Sequence, residues 1–180
     1  MDQSIKKIRE DVVYQGFFNL RIDHFKDKNQ SSHEYMCLES LADGVVVLAE
    51  ASNKKLMIIE EYRYPLEKKI FSLPGGRVNI DETPLAGAQR ELLEETGYEA
   101  DDWALLGEFY PFPSASDQKI WVFWARGLKK MQAPHHDPLE DLSCYMLDLK
   151  EIFALSPEKA KLDSTIPVAL FLKTHHLSKN

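Results

Sequence analysis

The stretch from Gly76 to Tyr98, GRVNIDETPLAGAQRELLEETGY, constrains the fold more than any other part of the chain. Thr83 and Pro84 predict an N-cap followed by proline at the first helical position, where a missing N–H group costs nothing. Gly97 marks the residue beyond the helix C-terminus, where a left-handed backbone is usually needed. The sequence therefore predicts a single helix between these two signals.

The predicted helix has an apolar face and a dense group of carboxylates. The apolar residues recur at three- and four-residue steps and predict the core-facing side: Leu85, Ala88 and Leu92. Glu91, Glu94 and Glu95 lie at positions i, i+3 and i+4, so their side chains are neighbours. Such a group is either a solvated acidic face or a site for Mg²⁺ or Mn²⁺, which prefer carboxylate oxygens and remove the repulsion.

The spacing around this helix distinguishes the two interpretations. Gly76, five residues, Glu82, seven residues and then RELLEETG resemble the Nudix box, G-x5-E-x7-R-E-U-x-E-E-x-G-U. Seven fixed residues at about 5–7% usage each give roughly one chance match in 10⁸ to 10⁹ starting positions. Tyr98 departs from the final aliphatic position. The resemblance implies an α/β class protein with the Nudix fold, an α/β/α sandwich around a mixed sheet.

Composition narrows the classes of partner. The 180 residues suffice for one domain with a full core, or one domain with a small appendage. A net charge of −7 disfavours nucleic acid as a partner. Cys37 and Cys144 lie in strand-like apolar runs, so we expect reduced thiols in a cytoplasmic protein. The N-terminus has no apolar stretch typical of a signal peptide, and the apolar runs are too short to span a membrane.

The alternation of apolar residues predicts the remaining elements. Residues 12–25 and 34–41 read as an N-terminal hairpin, and residues 43–50, 55–62, 103–110, 119–126 and 142–147 as strands. Helices are predicted over 148–155 and 164–176. A lone hairpin is only marginally stable, so it must pack on the main domain or on another chain. We assign residues 1–42 to a dimerisation segment and 43–180 to the catalytic domain, because ADP-ribose pyrophosphatases commonly form homodimers through such a sheet.

Two further segments resemble ADP-ribose pyrophosphatases. EYRYP is similar to their Q-Y-R-Y-P, which implies that Arg63 binds a diphosphate and Tyr62 stacks on a base; the alternative is an edge arginine packed on aromatic rings. YPFPSASDQK is similar to their Y-P-S-P-G-F-S-D-E-K, with Pro113 sixteen residues after Gly97. Ser114 replaces glycine and Gln118 replaces glutamate, which leaves the exact substrate open.

The resemblance also implies roles for individual residues. Two or three Mg²⁺ ions, with Mn²⁺ as a substitute, would be bound by the Gly75 carbonyl and by the carboxylates of Glu91, Glu94 and Glu95. Glu82 and Arg90 would pair and fix the helix to the loop before it. Glu140 best matches the general base of the family, with Asp141 and Asp137 as rivals. The paired histidines at 135–136 and 175–176 carry no metal prediction.

The implied reaction is hydrolysis of a nucleoside diphosphate sugar, foremost ADP-ribose to AMP and ribose 5-phosphate. GDP-mannose is the nearest alternative; diadenosine polyphosphates and nucleoside triphosphates fit the Arg63 and Pro113 segments less well. A nucleotide sensor that binds without cleaving ranks low, because every box carboxylate is present. An RNA-processing enzyme would need a basic patch that the sequence does not show.

Overall fold

A computed structural model describes residues 5–135, 141–155 and 162–179. The chain divides into two compact units. The first comprises Met1–Asp43 with Tyr110–Lys119, and the second comprises Gly44–Phe109 with Ile120–Asn180. The division of function at residue 42 stays a prediction.

The first unit contains a three-stranded antiparallel sheet, which confirms the predicted N-terminal antiparallel sheet and adds one strand to its hairpin. Its strands are β1 (Ile5–Tyr14), β2 (Phe18–Asp27) and β3 (Ser32–Ser40), in the order β1-β2-β3. The hairpin prediction missed β1 because its pairing with β2 is irregular at two places, between Lys7 and Arg9 and between Val12 and Tyr14. Each irregularity shifts the two-residue period that identifies a strand in sequence.

A segment from later in the chain extends this sheet along β3. The Leu38 N–H donates to the Ala115 carbonyl at 2.7 Å, and Leu38 forms a parallel bridge with Ser116. The Ser40 N–H donates to Asp117 Oδ1 at 2.7 Å, and the Tyr35 hydroxyl donates to the Ser114 carbonyl. These contacts hold the YPFPSASDQK segment within the first unit.

The second unit is built on a seven-stranded mixed sheet. Its strands are β4 (Gly44–Glu50), β5 (Leu56–Arg63), β6 (Lys68–Ser72), β7 (Gly75–Arg77), β8 (Tyr98–Phe109), β9 (Ile120–Lys130) and β10 (Leu142–Leu147). The central order is β10-β5-β4-β9-β8, β6 pairs with β5, and β7 pairs with β4. β4 and β9 run parallel, and the other pairs are antiparallel. β6 and β7 were not predicted, because five- and three-residue strands give too short a pattern.

Helices cover both faces of this sheet, as the predicted sandwich requires. The helices are α1 (Pro84–Thr96), α2 (Leu149–Ala154) and α3 (Thr165–Leu177). Successive residues of β4 alternate between two apolar cores, one with Ala88 and Leu92 of α1, and the other with Ile152 of α2 and Ile166 of α3. The seven residues of β4 are all buried, which explains why this strand reads as a continuous apolar run.

The boundaries of α1 are those predicted. The Thr83 hydroxyl accepts a hydrogen bond from the Ala86 N–H, and Gly97 has a φ of +75°. A side chain at Gly97 would also lie 2.2 Å from the Gln132 carbonyl oxygen, so this helix ends at glycine for two reasons. Leu85 was wrongly predicted to face the core: it is 38% exposed, because it lies in the first turn of the helix, away from the buried residues. No helix among the described residues is long and apolar enough to cross a membrane.

Candidate functional site

Arg90 lies at the centre of the predicted site and uses all five of its N–H donors on neighbouring protein groups. Nε and Nη2 each donate to Glu82 at 3.0 Å, and Nη1 donates to Glu91 at 2.8 Å and to Glu94 at 3.0 Å. The remaining Nη2 donor reaches the Arg77 carbonyl at 2.8 Å. The structure therefore contains the predicted Glu82–Arg90 pair, and this pair ties α1 to the loop before it.

The charges of this pair are mutually stabilised. Hydrogen bonding to Glu82 raises the pKa of Arg90 above its usual value, with further contributions from Glu91 and Glu94. Hydrogen bonding to Arg90 in turn lowers the pKa of Glu82, as does the Asn79 N–H, which donates to it at 3.0 Å. Glu82 is therefore ionised and fully engaged at neutral pH, which suits an organising role better than proton transfer.

Two consecutive glycines bring the backbone of β7 against α1. A Cβ atom on Gly76 would lie 2.4 Å from Oε1 of Glu91, so a larger residue there would displace that carboxylate. The Gly75 N–H donates to Oε2 of Glu95 at 2.8 Å, and Glu95 is only 7% exposed. Gly75 and the first glycine of the box, Gly76, thus position two of the box carboxylates.

Glu82, Glu91, Glu94 and Glu95 form the carboxylate cluster. The first three share the Arg90 guanidinium, Glu95 accepts from the Gly75 N–H, and the cluster keeps an excess of negative charge. Their hard oxygen donors are of the kind that divalent cations such as Mg²⁺ bind. Within the described ranges, however, no three His, Cys, Asp or Glu side chains already surround one ion position. Arg90 donates to Glu91 and Glu94 in this arrangement, and the carboxylate oxygens suit a divalent cation by their chemistry.

Cys144 contacts the backbone of the cluster. Its thiol donates to the Glu95 carbonyl oxygen at 3.3 Å. Burial, together with the charge of Glu95, raises the pKa of Cys144 to about 11. The thiol is therefore protonated at neutral pH and is a poor nucleophile.

Tyr62 and Arg63 lie at the end of β5, on the side of the sheet that β6 and β10 flank. Arg63 Nη1 donates to Glu61 Oε1 at 2.7 Å, and the Arg63 side chain is 42% exposed. Tyr62 is 41% exposed, and its N–H donates to the Asp141 carbonyl at 3.2 Å. Both predicted ligand-binding residues are accessible, and the strand that carries them is paired on both sides.

The predicted general base, Glu140, and its rival Asp137 lie outside the described residues. The residues on either side of 136–140 are anchored. The His135 N–H donates to the Glu94 carbonyl at 2.8 Å, and Lys69 Nζ donates to Asp141 Oδ1 at 2.7 Å. Asp141, the second rival, is therefore already engaged by a lysine.

Pro113 and Ser114 belong to the first unit. Its cavity of about 430 Å³ is lined by Pro113, by the rings of Tyr35 and Tyr110, and by Arg21. Ser114 contributes its carbonyl to the bond with Tyr35. Sequence reasoning missed Tyr35, and nothing in the pattern of β3 connects it with a segment 79 residues away.

Sequence reasoning also missed Glu61 and Lys69. Residues two apart on a strand share a face, so Glu61 could have been linked to Arg63 from the alternation alone. Lys69 gives no such signal, because its partner Asp141 is 72 residues distant.

Comparisons with known proteins agree with this geometry. The family model described as NUDIX domain matches residues 40–167. A methanol dehydrogenase activator from Bacillus methanolicus is 32% identical over 167 residues, covering 92% of this chain and 90% of that protein. An ADP-ribose pyrophosphatase from Bacillus subtilis (strain 168) is 36% identical over 89 residues, which is 49% of this chain and 48% of the relative.

The solved structures show the same fold. A crystal structure of an ADP compounds hydrolase superposes with a TM-score of 0.85, at 21% identity, covering 98% of this chain and 96% of that one. The likeness extends over both units of the chain, so the N-terminal sheet is part of what the two proteins share.

Proposed function

The chain belongs to the Nudix family, and on this premise we propose that it hydrolyses the pyrophosphate bond of a nucleoside diphosphate sugar, foremost ADP-ribose, giving AMP and ribose 5-phosphate. The observation that carries the proposal is the carboxylate cluster, assembled around Arg90 and the Gly75–Gly76 backbone. The ADP-ribose pyrophosphatase from Bacillus subtilis supports the choice of substrate, although the match spans about half of each protein.

The proposed cofactor is Mg²⁺, replaceable by Mn²⁺, with two or three ions bound by Glu91, Glu94, Glu95 and the Gly75 carbonyl. When bound, such ions supply the positive charge that lets a water molecule approach an anionic diphosphate. Glu94 is shared between this role and Arg90, so the same carboxylate serves the ion site and the helix anchor.

Other residues of the chain are assigned to substrate binding and to the activation of water. Arg63 binds the diphosphate, and the exposed ring of Tyr62 stacks on a flat group of the substrate. Pro113 and Ser114 stay predicted substrate-binding residues. Glu140 positions or deprotonates the water; the engagement of Asp141 by Lys69 favours Glu140 over that rival.

The test is phosphatase-coupled hydrolysis of ADP-ribose and GDP-mannose, side by side with Mg²⁺. Alkaline phosphatase releases phosphate from the products but not from the intact substrates, so phosphate reports cleavage. We expect ADP-ribose to be preferred and Glu95→Gln to lower kcat roughly a thousandfold. Preference for GDP-mannose would change the substrate and keep the reaction class. Binding of either compound without cleavage would favour a nucleotide sensor.

A second candidate function is activation of a dehydrogenase, because the activator from Bacillus methanolicus aligns with 92% of this chain. The rate of a methanol dehydrogenase with and without this protein tests it. Repeating the assay with Glu95→Gln shows whether any activation requires hydrolysis.

We further propose a homodimer in the cytoplasm, formed through the N-terminal sheet. Large apolar side chains of this sheet are between 54% and 64% exposed: Ile5, Ile8, Val13, Tyr14 and Met36. A surface of this kind commonly marks a protein interface. Sedimentation velocity should give a dimer for the wild type and a monomer for Val13→Asp; a wild-type monomer would refute the assembly.

The two free thiols, Cys37 and Cys144, are in keeping with a reducing compartment.

A further inference from the structure

Glu61 and Arg63 form an ion pair at the end of β5 that the proposed reaction does not yet use. β-strand alternation places both side chains on one face, and the Arg63 Nη1–Glu61 Oε1 distance is 2.7 Å. From Ile59, which is 1% exposed, to Glu61 at 13% and Arg63 at 42%, this face passes from the core to solvent. The pair therefore lies where a partly buried carboxylate meets an accessible guanidinium.

The backbone that carries Glu61 is fixed on both sides. Glu61 is paired with Leu142 of β10 and with Ile70 of β6, so it lies in the middle of three strands. Within the described parts of the chain, Arg63 is paired with Lys68 of β6, and the strand ends directly after it at the turn of residues 64–66. Glu61 is thus a rigid anchor, whereas Arg63 is a long side chain at the end of its strand.

Arg63 differs from a typical surface arginine in how its donors are used. A guanidinium has five N–H donors in a fixed fork, and among the described residues Glu61 accepts from one of its nitrogens. The contact tethers Nη1 to Glu61, and this carboxylate accepts from no other nitrogen of the fork. A side chain held in this way loses less conformational freedom when it binds a bidentate anion.

We infer that Glu61 is a positioning residue for Arg63, presenting its guanidinium to the diphosphate of a nucleotide substrate. The inference rests on the proposed function, because Arg63 is the residue assigned there to the diphosphate. Glu61 itself carries negative charge and would repel the diphosphate, so its effect on substrate must act through Arg63. This distinguishes it from a residue that contacts the substrate directly.

The test is a double-mutant cycle with Glu61→Gln, Arg63→Ala and the combined variant, using the full-length protein. We expect Glu61→Gln to raise the KM for ADP-ribose about tenfold with kcat changed less than about twofold. In the Arg63→Ala background the same substitution should have no further effect, since the side chain it positions is gone. Glu60→Gln is the matched control: Glu60 is the adjacent carboxylate on the opposite face, accepts from the Tyr145 hydroxyl at 3.1 Å, and should leave KM unchanged.

Two outcomes would overturn the inference. One is a normal KM in Glu61→Gln while Arg63→Ala raises it; the other is additivity of the two substitutions, which a purely structural role of Glu61 would produce. Thermal unfolding of each variant separates loss of fold from loss of positioning. The same double-mutant cycle can be repeated independently of catalysis by measuring the dissociation constant of ADP-ribose by calorimetry without divalent cation. A protein that binds without cleaving contradicts the proposed hydrolysis and still tests Glu61; a protein that does neither overturns both.

Discussion

Two arginines of the second unit are used in opposite ways. Arg90 of α1 gives every donor to the protein itself, to Glu82, Glu91, Glu94 and the Arg77 carbonyl. Arg63 of β5 is bonded to Glu61, and its side chain is more exposed, at 42% against 27% for Arg90. The same chemical group therefore organises a cluster of carboxylates in one place and remains available to an anion in the other.

The difference shows how an acidic protein can process an anionic substrate. The carboxylate cluster is negative and repels a diphosphate unless cations bind to it, and its own arginine is already committed. Positive charge for the substrate must come from elsewhere in the chain or from metal ions. In the proposed function Arg63 supplies part of this charge from β5, where its Nη1 donates to Glu61.

Arg90→Lys is the substitution with the largest expected effect among those that test this comparison. Lysine keeps the charge but cannot reproduce the five-donor fork, so the bidentate pair with Glu82 is lost. We expect the free energy of unfolding to fall by about 3 kcal/mol and kcat to fall roughly a hundredfold. Urea unfolding and steady-state kinetics measure both. Arg126→Lys is the control, since Arg126 binds Asp102 at the surface and lies 4.2 Å from the Trp124 ring. Equal losses of unfolding free energy and kcat in the two variants would contradict a specific role of Arg90.

Gly76→Ala sharpens the comparison, because it displaces one carboxylate of the cluster without substituting either arginine. The added Cβ would lie 2.4 Å from Oε1 of Glu91, so the carboxylate must move away from Arg90. We expect kcat/KM to fall about tenfold, with the KM effect of Arg63 substitutions unchanged. Combining it with Glu91→Gln should add little, because both changes act on one side chain. Full additivity would show that the alanine acts through the backbone of β7 instead.

Glu50→Gln removes a different buried ion pair of the second unit. It tests whether the loss of such a pair lowers kcat as the loss of the Arg90 pair is expected to. Glu50 is 4% exposed and accepts from Lys173 Nζ at 2.5 Å and from the Trp124 indole at 2.8 Å. Burial alone would raise the pKa of Glu50, but the opposing effects of Lys173, Lys54 and Trp124 together lower it below the usual 4.5. The charge of Glu50 is therefore a source of stability and has no assigned part in the reaction.

The direction of the pH dependence follows from this lowered pKa. Glu50 remains ionised in the folded protein at a pH where the unfolded chain binds a proton, so its contribution is complete above about pH 4.5 and is lost as the pH falls through the folded-state value. Glu50→Gln should lower the free energy of unfolding by about 1 kcal/mol at pH 7, less near pH 4, with kcat within about twofold. A stability difference that grows on acidification would contradict the assignment.

The sequence predicted what local rules and the box pattern determine. The caps of α1, the buried run of β4 and the Glu82–Arg90 pair all follow from residues close together in the chain. It failed where the signal is short or distant. β7 has three residues, the irregularities of β1 conceal its period, and Leu85 fits a helical pattern that the first turn does not bury.

The candidate site shows the same limit. Residues of the box meet because one loop and one helix carry them, whereas the bonds of Lys69 to Asp141 and of Tyr35 to Ser114 join positions more than seventy residues apart. No periodicity in a single sequence encodes such pairs. The Glu61–Arg63 pair is an intermediate case, since alternation puts both on one face but does not say that they touch.

The most direct test of the account is Arg63→Lys, assayed for the KM of ADP-ribose and for the unfolding midpoint in the same preparation. We predict a KM raised about tenfold, a nearly unchanged kcat, and a midpoint within about 1 °C of the wild type, because the proposed role of Arg63 is in substrate binding and its side chain is 42% exposed. A lowered midpoint with an unchanged KM would show that Arg63, like Arg90, is committed to the protein, and would contradict the distinction between the two arginines.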